Sequence, residues 1–419
     1  MSDKNLLLIT EVFPYSPGEE FLEKEIIYWG REFKGDLIIL PKRKSRFKRD
    51  IPSKIVVNNS LNQPLSFINY FSIFIKSLTS KIFLNELLYL IKNSKFEFNN
   101  FKSALYATIK VFKIRHHLKI FIKDLDTPPN VYCYWNDNSS YAAALLKQEG
   151  IINKLFSRIH RFDLYEEERR NNYMPLKRQL IQVFDKIFPI SLEGKNYLIN
   201  KYSMSEKNIC IQKLGVELNG FMCLASPRNV LKILSVSYCV DVKRIDKIID
   251  SARNLASTFP DIKIHWDHLG GGILEEELVE YANKMMLAPN LSWKFHGMVS
   301  NKEILKFYSE NCIDVFINTS LSEGVPVSIM EALSFGVPVI APNVGGISEL
   351  VEQTHGILLS EAPSIEEITN ALRNIEMFKS YPVRKNAYEF SKAHYNSKLN
   401  YSRFISLFND EFFSVERKN

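Results

Sequence analysis

Cysteine and long apolar runs are scarce in this sequence, and each absence excludes a class of protein. Five cysteines are scattered over 419 residues and never form a CxxC pair, which predicts reduced thiols of a cytoplasmic protein, with neither a disulfide framework nor a zinc site. No apolar run reaches the ~20 residues of a membrane-spanning helix, and the start MSDKNLLLIT is too short in apolar residues for a signal peptide. Hydrophobic and charged fractions of 46% and 24% exclude disorder, collagen and a coiled coil.

Charge is distributed unevenly along the chain. Residues 1–215 carry 34 Lys and Arg against 22 Asp and Glu, whereas residues 216–419 carry 20 against 25. The basic half predicts an anionic partner, and because no recognisable nucleic-acid module accompanies it, we expect a membrane surface and no nucleic acid. Residues 65–125 predict long amphipathic helices that either pack on a sheet or lie partly in a membrane interface, next to the basic loop 42–49. We therefore expect a cytoplasmic protein at the inner face of the cytoplasmic membrane.

Short β-rich runs alternate with helical segments, a pattern typical of parallel sheets covered by helices. The fold class predicted is α/β, with two doubly wound Rossmann-like domains whose ligands bind at the carboxyl ends of the strands, in the cleft between the domains. The domain break falls near residues 214–229, which show no sustained periodicity. The predicted strands are 5–10, 37–40, 131–134, 158–160 and 186–190, followed by 231–237, 262–265, 291–295, 315–318 and 338–340.

Two glutamates mark the most informative segment, residues 320–351. Glu323 lies in a loop after the predicted strand VFIN, and Glu331 lies about a turn inside a helix that begins near Val327. Free N–H groups at a helix start form an anion site that suits a diphosphate, so Glu331 could bind a ribose while Glu323 faces the group that the diphosphate carries. On spacing alone, a buried capping carboxylate and a solvated glutamate explain the pair equally well.

The wording EGVPVSIMEALSFGVPVIAPNVGGISELV resembles the signature of glycosyltransferase family 4, retaining enzymes of the GT-B fold, and is similar to bacterial exopolysaccharide, O-antigen and colanic-acid enzymes. Other segments of the resemblance follow in the expected order: FPYSPGEEFLEKEI, VYCYWND, RIHRFDLYEEE, FPIS, LGVE and VSYCVDVKRID.

The resemblance implies catalytic roles for three residues. Lys243 would contact the donor diphosphate, His160 would contact the donor sugar, and Glu323 would face the transferred sugar. Asp163 could orient His160. Many relatives carry Arg at the position of Tyr238, so the usual Arg–Lys pair is halved here, and we expect that Arg244 either compensates or points into solvent.

The resemblance also implies a set of donor-binding residues around the loops of both domains. The set comprises Gly18, Arg244, Gly297, Met298, Val299, Gly324, Val325, Pro326, Val327, Ser328 and Glu331. The alternative for Gly18 is a turn glycine that serves only a positive φ. Residues 297–299 would hold the base through the backbone.

Three features invite a metal or nucleotide interpretation and are predicted to be structural. Asp124-Leu125-Asp126 spells a DxD at a helix end, and His265 with His268 lacks a third zinc ligand nearby. Gly270-Gly271-Gly272 is not a GxGxxG motif and is predicted to be a strand-to-helix turn near the nucleotide. We expect no metal and no cofactor.

Taken with the resemblance, these residues predict a metal-independent hexosyltransferase that moves a sugar with retention from a UDP- or GDP-sugar to a glycan or polyprenyl-linked acceptor in cell-surface polysaccharide biosynthesis. A nucleotide-sugar epimerase or hydrolase of the same fold and a noncatalytic membrane-associated scaffold are the alternatives. The expected domains are 1–215 (acceptor), 216–395 (nucleotide sugar) and a final helix, 396–419, packed on the first domain.

Overall fold

A computed structural model describes residues 5–413, apart from the side chain of Phe413, and the chain divides into two compact units. The first unit runs to Gln212 and resumes at Tyr401, and the second spans Lys213–Asn400. The sequence placed these boundaries at 215 and 395, and residues 414–419 of the predicted final segment lie outside the described residues.

The first unit is built on a six-stranded parallel sheet with the order β5-β3-β1-β6-β7-β8. A short antiparallel pair, β2 with β4, lies beside it. The strands are β1 (Asn5–Thr10), β2 (Tyr15–Ser16), β3 (Asp36–Pro41), β4 (Phe47–Lys48), β5 (Val56–Val57), β6 (Asn130–Cys133), β7 (Leu155–Ile159) and β8 (Lys186–Pro189). The helices are α1 (Leu22–Glu32), α2 (Phe67–Thr79), α3 (Lys81–Lys92), α4 (Phe98–Lys123), α5 (Asn138–Gln148), α6 (Arg161–Leu164), α7 (Lys177–Leu180) and α8 (Leu192–Tyr202).

The second unit repeats this plan with the parallel order β11-β10-β9-β12-β13-β14. Its strands are β9 (Val230–Val236), β10 (Lys263–Leu269), β11 (Leu291–Phe295), β12 (Val315–Ile317), β13 (Val339–Pro342) and β14 (Gly356–Leu359). The helices are α9 (Ile245–Thr258), α10 (Glu275–Met285), α11 (Asn301–Glu310), α12 (Val327–Ser334), α13 (Ile365–Leu372), α14 (Ile375–Lys379), α15 (Tyr381–His394) and α16 (Ser397–Phe413), the last of which crosses into the first unit.

The predicted fold class is confirmed, because both sheets are parallel, and in each of them the strand order reverses beside the first strand. All ten predicted strands are present; 5–10 and 291–295 have the predicted ends, and the other eight have shifted ends. Every residue of β1 is buried, as is typical of a central parallel strand, whereas β11 is partly exposed. The reversal points lie between β1 and β6 and between β9 and β12. Ligands of open α/β sheets bind at such points.

Residues 65–125 form three helices, as predicted, and α2 and α3 both pack against α4. No helix among residues 5–413 is long and apolar enough to cross a membrane. The outward faces of α2 and α3 are nevertheless apolar. Their exposed large apolar side chains are Phe67, Ile68, Tyr70, Phe71, Ile75, Leu84, Leu88 and Ile91.

The final helix, α16, completes the core of the first unit. Phe408 lies with its ring centroid 5.0 Å from that of Trp29 and 5.2 Å from that of Tyr132, and Phe404 packs on the same two rings. At the end of the helix, Glu411 pairs with Lys154 at 2.7 Å. Residues from the far end of the chain thus cover one face of the sheet that begins at β1.

Candidate functional sites at the two switch points

The loops at the reversal point of the second unit bring two predicted site residues together. Lys243 follows β9, Glu323 follows β12, and Lys243 Nζ lies 2.6 Å from Glu323 Oε1. The side chains are 20% and 11% exposed, so the ion pair is shielded from water and yet borders the surface. A lysine ammonium placed here can neutralise an anion at the carboxyl ends of the strands.

The Glu323 carboxylate is held by more than the lysine. Oε1 also accepts a hydrogen bond from Ser320 Oγ at 2.7 Å and from Asn318 Nδ2 at 3.1 Å. Three donors on one oxygen fix the carboxylate in a single orientation, and charge-assisted hydrogen bonds of this kind are stronger than neutral ones.

The two loops are also joined through their backbones. Thr319 Oγ1 lies 3.0 Å from the carbonyl oxygen of Lys243 and 2.9 Å from that of Arg244, and the Leu321 N–H donates to the Val242 carbonyl at 2.8 Å. The position of Lys243 therefore depends on the loop that carries Glu323.

Helix α12 begins directly after this loop. Its N-cap is Pro326, whose side chain has no acceptor, so the N–H groups of Val327 and Ser328 receive no hydrogen bond from the cap residue. Such a terminus attracts anions. The preceding loop, Gly324 and Val325, rests on a glycine pair: the Gly346 N–H donates to the Gly324 carbonyl at 2.7 Å, and Gly345 has a φ of +54°.

Glu331 lies on α12 and is 3% exposed. Its Oε1 accepts from Asn301 Nδ2, at the start of α11, at a distance of 2.5 Å. The carboxylate is thus held inside the second unit, one turn beyond the helix start where the sequence placed it. A ribose hydroxyl would have to share it with Asn301, a neighbour that the sequence did not indicate.

Arg244 is engaged elsewhere in this structure. Its guanidinium donates to both carboxylate oxygens of Asp246, at 3.1 and 3.0 Å, and its backbone has a φ of +50°. Tyr238, at the position where many relatives carry Arg, is 61% exposed. Lys243, and not Arg244, is therefore the cation that pairs with Glu323.

The loop 297–299, which is predicted to hold a base, contacts the triple glycine 270–272. Gly270 and Gly297 form an antiparallel bridge, and the Gly270 N–H donates to the Gly297 carbonyl at 2.9 Å. A Cβ on Gly270 would lie 2.0 Å from the Ser237 carbonyl oxygen, so this close approach requires glycine. Met298 is exposed and Val299 half-buried. As predicted, the triple glycine links β10 to α10.

His160 directly follows β7 at the carboxyl edge of the first sheet. Its Nε2 is buried and has no hydrogen-bond partner in the described part of the chain. Burial, together with the nearby Arg158 charge, holds the pKa of His160 well below its usual range, so the ring is neutral. Asp163, expected to orient this ring, contacts the main chain instead: its Oδ1 accepts from the His160 N–H at 2.6 Å.

Gly18 lies in the loop after β1 with a φ of +111°. Its neighbour Glu19 is buried, and the Glu19 carboxylate accepts from the N–H groups of Glu11, Val12 and Phe13 at 2.6–2.9 Å. Glu19 is not among the predicted site residues, and the only sequence signal for this contact is a carboxylate next to a turn glycine. The main-chain donors after β1 are thus occupied by a side chain of the same loop.

The residues that invited a metal interpretation have partners within the protein. His268 Nδ1 lies 2.8 Å from Ser235 Oγ, and His265 Nε2 lies 3.1 Å from Asp267 Oδ2. Burial lowers the pKa of His268 to about 4. Asp124 caps the end of α4. Among residues 5–413 no group of three His, Cys, Asp or Glu side chains is arranged to hold a metal ion.

Comparison with known proteins identifies the second unit. The family model described as glycosyl transferases group 1 matches residues 224–393, which include Lys243, Glu323 and Glu331. These residues form a glycosyl transferases group 1 domain. The chain is similar to the putative colanic acid biosynthesis glycosyltransferase WcaL of Escherichia coli strain K12, with 27% identity over 61% of this chain and 64% of that protein.

The chain is also similar to the amylovoran biosynthesis glycosyltransferase AmsK of Erwinia amylovora, with 29% identity over 44% of this chain and 45% of AmsK. The matches thus span less than two thirds of these relatives. Two solved structures share the whole fold: the lipopolysaccharide outer core galactosyltransferase WaaB in its apo form (TM-score 0.68, 17% identity, 98% of this chain and 99% of WaaB) and Anabaena HepE in complex with UDP and glucose (TM-score 0.66, 15%, 97% and 99%). The fold is therefore that of GT-B glycosyltransferases.

Proposed function

We propose that this protein is a retaining glycosyltransferase that moves a sugar from a nucleoside diphosphate sugar to a hydroxyl group of a glycan or polyprenyl-linked acceptor in cell-surface polysaccharide biosynthesis. The observation that carries the proposal is the contact between Lys243 and Glu323 at the switch point of the matched domain, beside the start of α12. Curated relatives that are glycosyltransferases of colanic acid and amylovoran biosynthesis support the polysaccharide assignment.

In this mechanism the departing diphosphate lies against Lys243 and the N–H groups of Val327 and Ser328. A positive charge and fixed dipoles aimed at the developing negative charge lower the barrier to loss of the sugar. The attack comes from the face that the diphosphate leaves, and the phosphate takes the proton of the acceptor hydroxyl, so the configuration is retained without a covalent enzyme intermediate. Because Lys243 supplies the cation, the proposed reaction needs no metal ion.

A donor screen tests this function. Purified protein is titrated with UDP, GDP and their common sugars by calorimetry, and transfer is followed with oligosaccharide and polyprenyl-linked acceptors. We expect binding of one nucleotide class, and Lys243→Gln should weaken it about tenfold or more, the range of a lost charge-assisted hydrogen bond. Lys284→Gln, at an exposed lysine of the same unit, is the matched control. Binding of no nucleotide would contradict the proposal and favour the scaffold alternative.

Two further outcomes separate the enzyme classes. NMR of the product should show the anomeric configuration of the donor, and activity should survive a chelator. Conversion of the nucleotide sugar without any acceptor would instead indicate the epimerase or hydrolase.

The proposed enzyme works at an anionic membrane, which it contacts through α2 and α3. Residues 51–123 hold 11 Lys and Arg against two Asp and Glu, although Arg115 and Lys119 pair with Glu149. Phe67, Ile68 and Phe71 are 83%, 78% and 57% exposed. Apolar side chains flanked by cations suit an interface with acidic lipids, where each cation contributes about 1 kcal/mol.

The basic loop 42–49 contributes less than its sequence suggested. Lys42 contacts Glu11 and Asp137, and Arg49 contacts Glu20 and Glu23, so these cations are already paired within the protein. The apolar outward faces of α2 and α3 therefore carry the proposed contact.

Flotation with phosphatidylcholine vesicles, with and without phosphatidylglycerol, tests the membrane contact. We expect recovery on the anionic vesicles to fall with salt and to be lost in the double variant Phe67→Ser/Phe71→Ser. Tyr381→Ser, at an exposed aromatic residue of the second unit, should float as the wild type does. Equal recovery on both kinds of vesicle would overturn the contact.

A further inference from the structure

We propose that Trp135, Asn136 and His160 form a binding site for the hydroxyl groups of a sugar ring at the switch point of the first unit. The inference rests on the proposed glycosyltransferase function, to which it adds a substrate-binding residue, Asn136. The strand order of this sheet reverses between β1 and β6, and the three residues follow β6 and β7 at their carboxyl ends. This edge is where open α/β sheets bind ligands.

Asn136 carries the strongest evidence. It is 2% exposed, and both its Nδ2 and its Oδ1 are buried without a hydrogen-bond partner among residues 5–413. Among the buried Asn and Gln side chains of those residues, it is the one whose two amide atoms both lack a partner. A buried polar group left unpaired costs about 1–3 kcal/mol, so folding alone gives no reason to keep this amide. Its free donor and free acceptor match a pair of sugar hydroxyls.

His160 and Trp135 extend the site. The centroid of the His160 ring lies 4.5 Å from that of Trp135, and the neutral His160 leaves Nε2 available to donate to or accept from a hydroxyl. Trp135 is half-buried, and its Nε1 donates to Glu19 Oε1 at 2.6 Å. The indole is thus fixed, and an aromatic ring of this kind suits the apolar face of a pyranose ring.

The backbone on which the site stands is rigid. Asp163 accepts from the main-chain N–H of Asn136 with one carboxylate oxygen and from that of His160 with the other, each at 2.6 Å. The Tyr141 hydroxyl donates to the Asn136 carbonyl at 3.2 Å. One carboxylate therefore holds the ends of β6 and β7 together before a substrate binds, which lowers the entropy cost of binding.

The test compares two asparagines at opposite ends of β6. Asn136→Leu and the smaller Asn136→Ala remove the unpartnered amide. Asn130→Leu is the control, because Asn130 Oδ1 accepts from Asn153 Nδ2 at 3.0 Å and from the Lys154 N–H at 3.2 Å. Thermal unfolding is measured for all variants, and calorimetry uses UDP, GDP, UDP-glucose, UDP-galactose, UDP-N-acetylglucosamine and GDP-mannose.

We expect Asn136→Leu to unfold at or above the wild-type temperature and Asn130→Leu to unfold below it. If the ring belongs to the donor, the Asn136 variants should bind the nucleotide sugar about 10- to 30-fold more weakly and the free nucleoside diphosphate normally, because two neutral hydrogen bonds are lost. If it belongs to the acceptor, both affinities persist and the acceptor KM rises by that factor.

A lower unfolding temperature for both Asn136 variants, with unchanged affinities and KM, would overturn the site and make Asn136 a structural group. A wild-type protein that binds no nucleotide sugar would instead refute the proposed function. In that case the unfolding temperatures alone decide: an Asn136 variant less stable than the wild type overturns the site, and one at least as stable supports it.

Discussion

The Lys243 ammonium lies 2.6 Å from the Glu323 carboxylate, across the reversal point of the second sheet. The same carboxylate oxygen accepts from Ser320 and Asn318, so the lysine meets an acceptor that the protein has already fixed. An incoming diphosphate would therefore find its cation in place, held by a partner from the next loop. A preformed charge of this kind costs little reorganisation during the reaction.

Substitution of Glu331 and of Glu323 in the second unit should affect different quantities, nucleotide affinity and kcat respectively. Glu331→Gln should weaken nucleotide binding by about 1–3 kcal/mol, because a buried carboxylate that binds in both ground and transition states is lost. Glu323→Gln should keep nucleotide binding, since an amide oxygen can still accept from Ser320, while kcat falls, and His160→Ala should resemble it. Calorimetry beside steady-state kinetics measures both. The reverse pattern, with binding lost in Glu323→Gln only, would contradict the assignment.

Gly345→Ala should impair the site of Lys243 and Glu323 in the second unit without removing a charged group. A Cβ at Gly345 would lie 1.9 Å from the Glu323 carbonyl oxygen, and its φ of +54° is unfavourable for alanine. Gly150→Ala is matched in backbone, with a φ of +74°, but has no atom within 4 Å of the new Cβ. Both variants should lose about 1 kcal/mol or more in urea unfolding, and only Gly345→Ala should lose nucleotide affinity. Equal affinities would show that this loop tolerates displacement.

Asp163 should make the stability of the protein depend on pH. Burial raises its pKa from 3.8 to about 6, against the lowering effect of Lys177 and two main-chain donors. Because the folded state then holds the proton more tightly than the unfolded state, this group's contribution to the free energy of unfolding falls as pH rises from about 4 to about 6. Asp163→Asn should remove that slope. Urea unfolding of both proteins at pH 4.5 and 6.5 measures it, and identical slopes would contradict the burial effect.

The buried ion pair between Glu25 and Arg158 should show strong coupling. Both side chains are fully buried, and the Arg158 guanidinium also lies 4.6 Å from the centroid of the Phe404 ring. Glu25→Gln or Arg158→Met alone should each cost about 3–5 kcal/mol, because one charge is left buried without its partner. The double variant should cost less than the sum of the two. Additive losses in a double-mutant cycle would show that the two charges act independently.

The sheets were largely predictable, because the strands at the centre of each sheet are buried on both faces and are therefore rich in apolar residues. Gly356–Leu359 was not predicted as a strand because it is only four residues long and begins with glycine, and Val56–Val57 is shorter still. The helices of residues 65–125 were predicted as amphipathic, and their outward apolar faces, which no sequence period distinguishes from core-facing ones, appear only in the structure.

For the site residues too, local features could be predicted from the sequence, whereas contacts between distant segments could not. Lys243 and Glu323 each lie in a predicted loop, but their contact depends on β9 and β12 being neighbours, which follows from sheet order and not from spacing. The pairing of Arg244 with Asp246 is local and could have been anticipated from two residues of separation. The position of Asn136 beside His160 depends on the Asp163 carboxylate bridging two strands, and no periodicity encodes that bridge.

The packing of α16 has a consequence for how this protein is made. Phe404 and Phe408 belong to the same apolar cluster as β1. The first unit therefore cannot complete its core until residues from 401 onward have been synthesised, after the whole second unit. While the second unit is translated, the apolar face formed by β1 and α1 lacks the helix that covers it. Exposed apolar surface of this kind promotes aggregation. Chimeras that exchange the amino-terminal half between relatives should therefore carry their own residues from 401 onward, because the two stretches form one folding unit.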